Sequence, residues 1–448
     1  MDKVPMNRRV LPTRRALAAA ALLTCSTCLL TQLPTAMPTA AEGIIRPVET
    51  CPRIVALNRR LASGDRRALD EFWSEARRVG TPLMEPSKDS TAEVTVTFVW
   101  RGDARTQNVA LQAPLTNLPG MPTLQLSRLP DTDVWYRCWR MRNDLRFTYR
   151  FLLDVKPGDN PQQSARIDPL NPHRMEISLD ENGTAKVEYS IASMPHASDE
   201  SWTVRHPAVA AGAVAQHLFK STILGNERAI WVYTPPGYDA KTRGGYPLLV
   251  LFDGFSYQNW IPAPVVLDNL IHAEKISPMV AVLIGNARNT RSSELGYNAA
   301  FVEFLSQEVL PWVHGHGNVT RDPQKSIIGG YSFGGVAAAF VALRRPDMFG
   351  NVLSQSGAFW RGKDKDVTWE WLVGQYEAAP KLPLRFFLEA GLLEDVSRDG
   401  PTPLAANRRL VTVLKRKGYA VTYQEVGGTH EPVHWHGEFA EGLLALAK

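Results

Sequence analysis

The sequence predicts a small β-sandwich followed by a larger α/β domain whose parallel sheet is covered by helices. Three observations point there. Short runs with apolar residues at every second position, separated by turn residues, crowd the stretch before residue 170. From about Gln216 onward, apolar runs of strand length alternate with longer helical stretches. Within that second region, Gly330-Tyr331-Ser332-Phe333-Gly334 lies between an apolar run and an Ala-rich helical one. The length of 448 residues suits two cores. A composition 44% hydrophobic and 21% charged excludes a disordered chain, a collagen-like repeat and a multi-span membrane protein.

Residues 1–41 read as an export signal. Arg8-Arg9 and Arg14-Arg15 precede an apolar run from Ala16 to Leu30, and Pro34 to Ala41 supplies small residues for a peptidase. Thr13 to Leu17 loosely resembles a twin-arginine signal. An uncleaved anchor is the competing reading, but the run is short of the roughly 20 residues a span requires. The segment carries five cations and one anion, so its removal lowers the formal charge from +5 to +1. That near-neutral body, without a basic run, argues against a nucleic-acid partner. The expected compartment is the periplasm or the exterior, with the cytoplasm as the alternative, and no membrane span is expected in the processed chain. Cys51 and Cys138 then remain; they either pair or stay as buried thiols.

Residues 50–205 form the expected sandwich domain. Residues 50–80 read as helical, with Leu69, Phe72 and Trp73 on one side. Val94, Val96, Phe98 and Trp100 share one face of a half-buried strand. Val134–Trp139 and Arg146–Phe151 read as two further strands joined by a hairpin turn at Asn143-Asp144. Asp168-Pro-Leu-Asn-Pro172 closes the sheet, since proline cannot continue a central strand. Trp135, Tyr136 and Trp139 are either core or a sugar-binding face, and core is the commoner role.

Residues 206–448 form the expected α/β domain. Its strands are Ala229–Tyr233, Pro247–Phe252, Met279–Ile284 and Leu384–Leu388, with a helix from Ala300 to Val313. The G-x-S-x-G motif, with its strand and helix, is the nucleophile elbow of an α/β-hydrolase. The tight turn leaves no room for side chains two residues either side of Ser332, and it aims the Phe333 amide at a developing oxyanion. Gly254 or Phe255, after an earlier strand, is the natural second donor.

In this fold the acid and the histidine follow the serine. Glu394 and Asp395 lie on the loop after the strand ending near Ala390, and either carboxylate suits the acid. His430 ends the next strand and suits the base, with His434 and His436 as rivals. The spacing of the three histidines matches no helical metal motif with a third ligand, so no metal and no cofactor are expected.

Together these residues resemble the ferric enterochelin (enterobactin) esterase family of siderophore trilactone hydrolases, over nearly all of the chain after the export segment. The likeness is carried first by Phe72-Trp73, Gly80–Leu83, Val96–Arg101, Thr132–Tyr136 and Asp168–Pro172. It continues through Leu251–Gly254, Asn286–Arg288, Arg291–Leu295, Asn298, Val309–Trp312, Ser332, Ser354–Gly357 and Leu388–Gly391, and ends at Gly427-Gly428, His430 and Trp435. The resemblance implies an immunoglobulin-like sheet domain before an esterase-D-type α/β-hydrolase, with Ser332, His430 and Glu394 as nucleophile, base and acid. It implies a small-molecule ferric siderophore as partner, with iron entering only as part of the substrate. A general or feruloyl-type carboxylesterase is the alternative. Arg288 and Arg291 are expected as cations at the mouth, against a plain role as solvated charge or a partner for Glu294, and Trp435 is expected at the substrate. Two positions depart from the family pattern: Thr429 intervenes between the glycine pair and His430, and Glu431 stands where the family has Asp.

Overall fold

The computed structural model describes residues 43–447 except 49, 88, 115–123, 179–184, 364–368 and 398–399. The expected export segment lies outside the described residues. Among them, no helix is long and apolar enough to cross a membrane.

The first part runs β1 (Ile45–Pro47), α1 (Pro52–Ala62), α2 (Ala68–Val79), β2 (Leu83–Pro86), β3 (Glu93–Arg101), β4 (Val109–Gln112), β5 (Ser127–Arg128), β6 (Val134–Arg142), β7 (Arg146–Leu153), β8 (Ala165–Arg166), β9 (Arg174–Ser178) and β10 (Lys186–Ser193). One sheet has the order β1-β6-β3-β2 with β5 on β6, and the other β4-β7-β10-β9 with β8 on β7. All pairs are antiparallel.

The expected hairpin between β6 and β7 is absent. The Asn143-Asp144 turn instead carries the chain from one sheet to the other. The packing explains this: Phe98 and Trp139 of the first sheet meet Phe147 and Tyr149 of the second, with Phe98 5.0 Å from Tyr149 and 5.7 Å from Trp139. Paired side by side, β6 and β7 would leave these rings with no facing layer. Nor is β3 half-buried. Its second face is covered by α1 and α2, whose Leu57, Phe72 and Trp73 pack with Val99 and Cys138. A disulfide between Cys51, at the start of α1, and Cys138 on β6 ties that layer down. Trp135 and Trp139 are core residues. Asp168 and Asn171 are buried and bond the Tyr149 hydroxyl, closing the sandwich.

The second part contains β11 (Ala213–Ser221), β12 (Asn226–Thr234), β13 (Leu248–Phe252), α3 (Gly254–Asn259), α4 (Ala263–His272), β14 (Val280–Ile284), α5 (Arg291–Glu294), α6 (Ala299–Glu303) and α7 (Leu310–His316). It continues with β15 (Ser326–Tyr331), α8 (Phe333–Arg344), β16 (Asn351–Gln355), α9 (Trp371–Ala378), β17 (Arg385–Gly391), α10 (Pro403–Arg416), β18 (Ala420–Val426) and α11 (Pro432–Leu446). The eight-stranded sheet has the order β11-β12-β14-β13-β15-β16-β17-β18. It is parallel from β14 to β18, whereas β11 and β12 run antiparallel. The turn of residues 222–225 between them is too short for a parallel crossover. Apolar cores cover both faces of the sheet, so β13, β14 and β15 are buried along their whole length.

The helix expected over Ala300–Val313 is interrupted by a π turn at Phe304–Val309, just before Pro311. Proline lacks the amide proton an α-helix needs and crowds the carbonyl four residues back, and a wider turn relieves both.

Candidate active site

β15 ends at Tyr331, Ser332 follows with φ +54° and ψ −116°, and α8 begins at the next residue. The glycines around it are steric requirements. A Cβ on Gly330 would lie 2.6 Å from the Gly334 carbonyl carbon, and one on Gly334 2.9 Å from Asp253 Oδ2. Neighbouring backbone clamps the turn: the Ser332 amide donates to Gln355 O (2.8 Å) and the Ala358 amide donates to Ser332 O (3.0 Å).

Two loops, after the last two strands of the sheet, complete the site. After β17, Glu394 is buried, and its Oε1 accepts from the Gly391 amide (2.9 Å) and the Ser356 hydroxyl (2.5 Å). After β18, His430 places Nδ1 2.8 Å from Glu394 Oε2 and Nε2 2.8 Å from Ser332 Oγ. The tautomer with a proton on Nδ1 donates to the carboxylate and leaves Nε2 to accept from the serine. Burial alone would raise the Glu394 pKa, but His430 first, then His434 and Ser356, hold it below the usual carboxylate range. Asp395 faces away and accepts from the Thr402 hydroxyl at 2.7 Å.

A second donor region sits beside the elbow. β13 and β15 are paired, with Leu251 opposite Gly329, so Asp253 and α3 follow at the same end of the sheet as Ser332. Asp253 has φ +56°, and α3 begins at Gly254. Helix first-turn amides have no acceptor within their own helix, which leaves those of Gly254, Phe255 and Phe333 available to an anion.

Comparisons with known proteins cover both parts of the chain. The Esterase family profile matches residues 221–446, and the profile for the enterochelin esterase N-terminal domain matches residues 95–203. An iron(III) enterobactin esterase of Dickeya dadantii is 29% identical over 86% of this chain and 94% of its own length. That of Escherichia coli K12 is 30% identical over 72% of this chain and 81% of its own. A crystal structure of the Shigella flexneri enterobactin esterase, in the presence of enterobactin, superposes with a TM-score of 0.68 at 27% identity, covering 84% of this chain and 97% of that one. The chain belongs to the iron(III) enterobactin esterase family. It is an ester hydrolase with an esterase-type α/β fold.

The structure gives this esterase's other expected site residues, Arg291, Arg288 and Trp435, the following surroundings. Arg291 does not pair with Glu294, which is bound to Arg228 at 2.7 Å. Its guanidinium is held by Asp253 through Nε to Oδ1 (2.6 Å) and NH2 to Oδ2 (2.7 Å), so its charge is matched within the fold. Asn286 adds a third bond to the same carboxylate, at 2.8 Å. Arg291 thereby braces the backbone that leads into Gly254 and Phe255. Arg288 is exposed on the same loop. Trp435 is only 3% exposed and packs beneath the site. Its ring stacks on Tyr331 at 4.1 Å, meets the His430 ring edge-on at 5.1 Å, and donates Nε1–H to Ser356 Oγ (2.8 Å).

The rival histidines have other partners. His434 is buried, with Nδ1 2.8 Å from Thr429 O and Nε2 2.8 Å from Glu389 Oε2. Its Nδ1–H donates to the Thr429 carbonyl, and its Nε2 faces the Glu389 carboxylate as a close ion-pair contact. Burial pulls its pKa down, but Glu389 first and then Glu394 lift it to about 10. His436 pairs with Glu200 at 2.9 Å.

The two departures from the family pattern have a structural use. The Glu431 carboxylate accepts from the Thr429 hydroxyl (2.6 Å) and from the Thr148 hydroxyl (2.5 Å) and amide (3.0 Å) of β7, in the first part of the chain. Ser356 and Glu389 were not singled out as individual site residues from sequence. Ser356 lies inside the Ser354–Gly357 motif and has φ +48°, but nothing local announces its bond to Glu394. Among the described residues, no group of three or more His, Cys, Asp or Glu side chains is arranged to hold a metal ion.

Proposed function

We propose that this esterase hydrolyses the trilactone backbone of a catecholate siderophore, ester by ester, in its ferric or iron-free form. The observation that carries the reading is the relay of two 2.8 Å contacts from Ser332 through His430 to Glu394, in a chain similar along both parts to iron(III) enterobactin esterases. His430 Nε2 takes the Ser332 proton as Oγ attacks the ester carbonyl. The tetrahedral oxyanion rests on the Phe333 amide and that of Gly254 or Phe255. Glu394 stabilises the imidazolium, which returns its proton to the departing serine alkoxide of the siderophore. Water, deprotonated by His430, then releases the acyl group. These steps use side chains and backbone alone, and iron enters as part of the substrate.

Residues 1–41 act as an export signal in this reading, residues 50–205 as the sandwich domain and residues 206–448 as the esterase domain. The Cys51–Cys138 disulfide supports an oxidising compartment such as the periplasm.

Chromatography of products tests the proposal. Wild-type enzyme should convert enterobactin stepwise to linear trimer, dimer and monomer, and Ser332→Ala should not. Cleavage of feruloylated sugar in preference to the trilactone would overturn the substrate assignment.

A further inference from the structure

We propose that Arg361 is a substrate-binding cation of this site, placed to take an anionic oxygen of the bound ester, and that it sets the preference for charged over neutral substrates. The proposal deepens the siderophore reading and rests on it for the identity of the natural anion.

Three arginines come into question, and their partners separate them. Arg291 is neutralised by Asp253, and Arg288 is exposed on its loop. Arg361 sits on the loop after β16, whose Ala358 amide bonds the carbonyl of Ser332 itself. That loop is pinned on both sides. The Arg361 amide donates to Ala358 O (3.2 Å), and its carbonyl accepts from the Trp371 amide (3.2 Å) and the Tyr297 hydroxyl (3.3 Å). The guanidinium carbon lies 4.3 Å from the ring centroid of Phe333, the residue whose amide faces the oxyanion.

Among the described residues, no carboxylate pairs with this guanidinium, and its NH1 is buried without a hydrogen-bond partner. Burial lowers the Arg361 pKa, and the raising influence comes from the Tyr297 phenol, not from a carboxylate. An arginine remains charged even so. An unpaired guanidinium is costly in the empty enzyme, and an anionic ligand oxygen at its more open nitrogens, Nε or NH2, would match its charge. A ferric tris-catecholate carries three negative charges around a metal centre remote from the scissile esters. A cation to one side of the elbow suits that separation.

The test compares ferric enterobactin, the monoanionic ester 4-nitrophenyl hemisuccinate and the neutral 4-nitrophenyl butyrate. Arg361→Gln should lower the ratio of anionic to neutral kcat/KM about tenfold, chiefly through KM, as loss of a charge-assisted contact does. Arg361→Lys should recover part of the ratio, because it keeps the charge and loses the planar fork. Salt should reduce the wild-type ratio more than that of Arg361→Gln. Arg291→Gln should depress all three esters alike. Equal loss on every ester in Arg361→Gln, or an unchanged ratio, would overturn the proposal. If the wild type ignored ferric enterobactin but cleaved both nitrophenyl esters, the siderophore reading alone would fall. The hemisuccinate-to-butyrate ratio would still decide the role of Arg361. Should the glutamine variant not fold, the lysine variant carries the same test with a smaller expected drop.

Discussion

Ser332 Oγ and His430 Nε2 lie 2.8 Å apart, and the proposed mechanism makes them one proton-transfer unit, so removing either side chain should cost the same. Ser332→Ala and His430→Ala are each expected to lose at least about a thousandfold in kcat with the fold intact, measured on any ester. Glu394→Gln should lose less, by about one to two orders of magnitude, because the acid orients and stabilises without reacting. Asp395→Asn should stay close to wild type, since Asp395 bonds Thr402 and not His430. His434 belongs to stability instead. Removing it leaves Glu389 buried and unpaired, a loss of about 3–5 kcal/mol. Its pKa is raised from 6.5 to about 10, so its contribution is complete below pH 6.5 and is lost as pH rises toward 10. The melting temperature of the wild type should therefore fall between pH 7 and 10. A His434→Gln variant should start lower and show a flatter profile. A wild-type curve with no slope in that window would sink this assignment.

At the scale of elements, the site is a crossing of three tight connections, each turned by a glycine that cannot be replaced cheaply. The acid loop and the histidine loop nearly touch: a Cβ on Gly391 would sit 2.5 Å from Gly428 O, and one on Gly428 2.5 Å from His434 Cγ. Gly428→Ala should push the histidine loop off Glu394 and lower kcat at least about a hundredfold, while Gly315→Ala, with open space around it, should be silent. Activity and melting temperature of the two variants check this. The elbow was legible because one local motif, Gly330 to Gly334, encodes the whole turn. The crossing of two loops 36 residues apart was not, because each looks like an ordinary polar connection until the sheet aligns β17 with β18.

At the scale of the whole molecule, the sandwich is joined to the catalytic loops. Leu393, next to Glu394, is part of the sandwich core, and Leu392 and Val396 pack against it. The Arg146 amide donates to Gly427 O (2.8 Å), and Thr148 holds Glu431. The sandwich therefore buttresses both the acid loop and the base loop. A chain of residues 206–448 alone should retain the elbow yet lose most activity, and Thr148→Val should lower kcat with little change in KM. A truncated chain with full turnover would show that the loops hold themselves. The Cys51–Cys138 disulfide spans 87 residues, so Cys138→Ser should cost about 2–5 kcal/mol of stability by denaturant unfolding, with kcat unchanged in the folded fraction.

The sequence by itself determined the two-part organisation, the elbow and the proposed chain order of serine, acid and histidine. All three rest on local signals: apolar period, glycine at a turn, and polar residues at strand ends. Only the tertiary structure decided which partner each charged group takes. It set Glu394, the acid the family resemblance had implied, 2.8 Å from His430 with Asp395 turned to Thr402, and gave Arg291 to Asp253. It sealed His434 against Glu389, buried Trp435 under His430, and sent β6 and β7 into different sheets. Those choices turn on distances between residues far apart in the chain, and on which faces a second layer covers. Neither spacing nor composition carries that information.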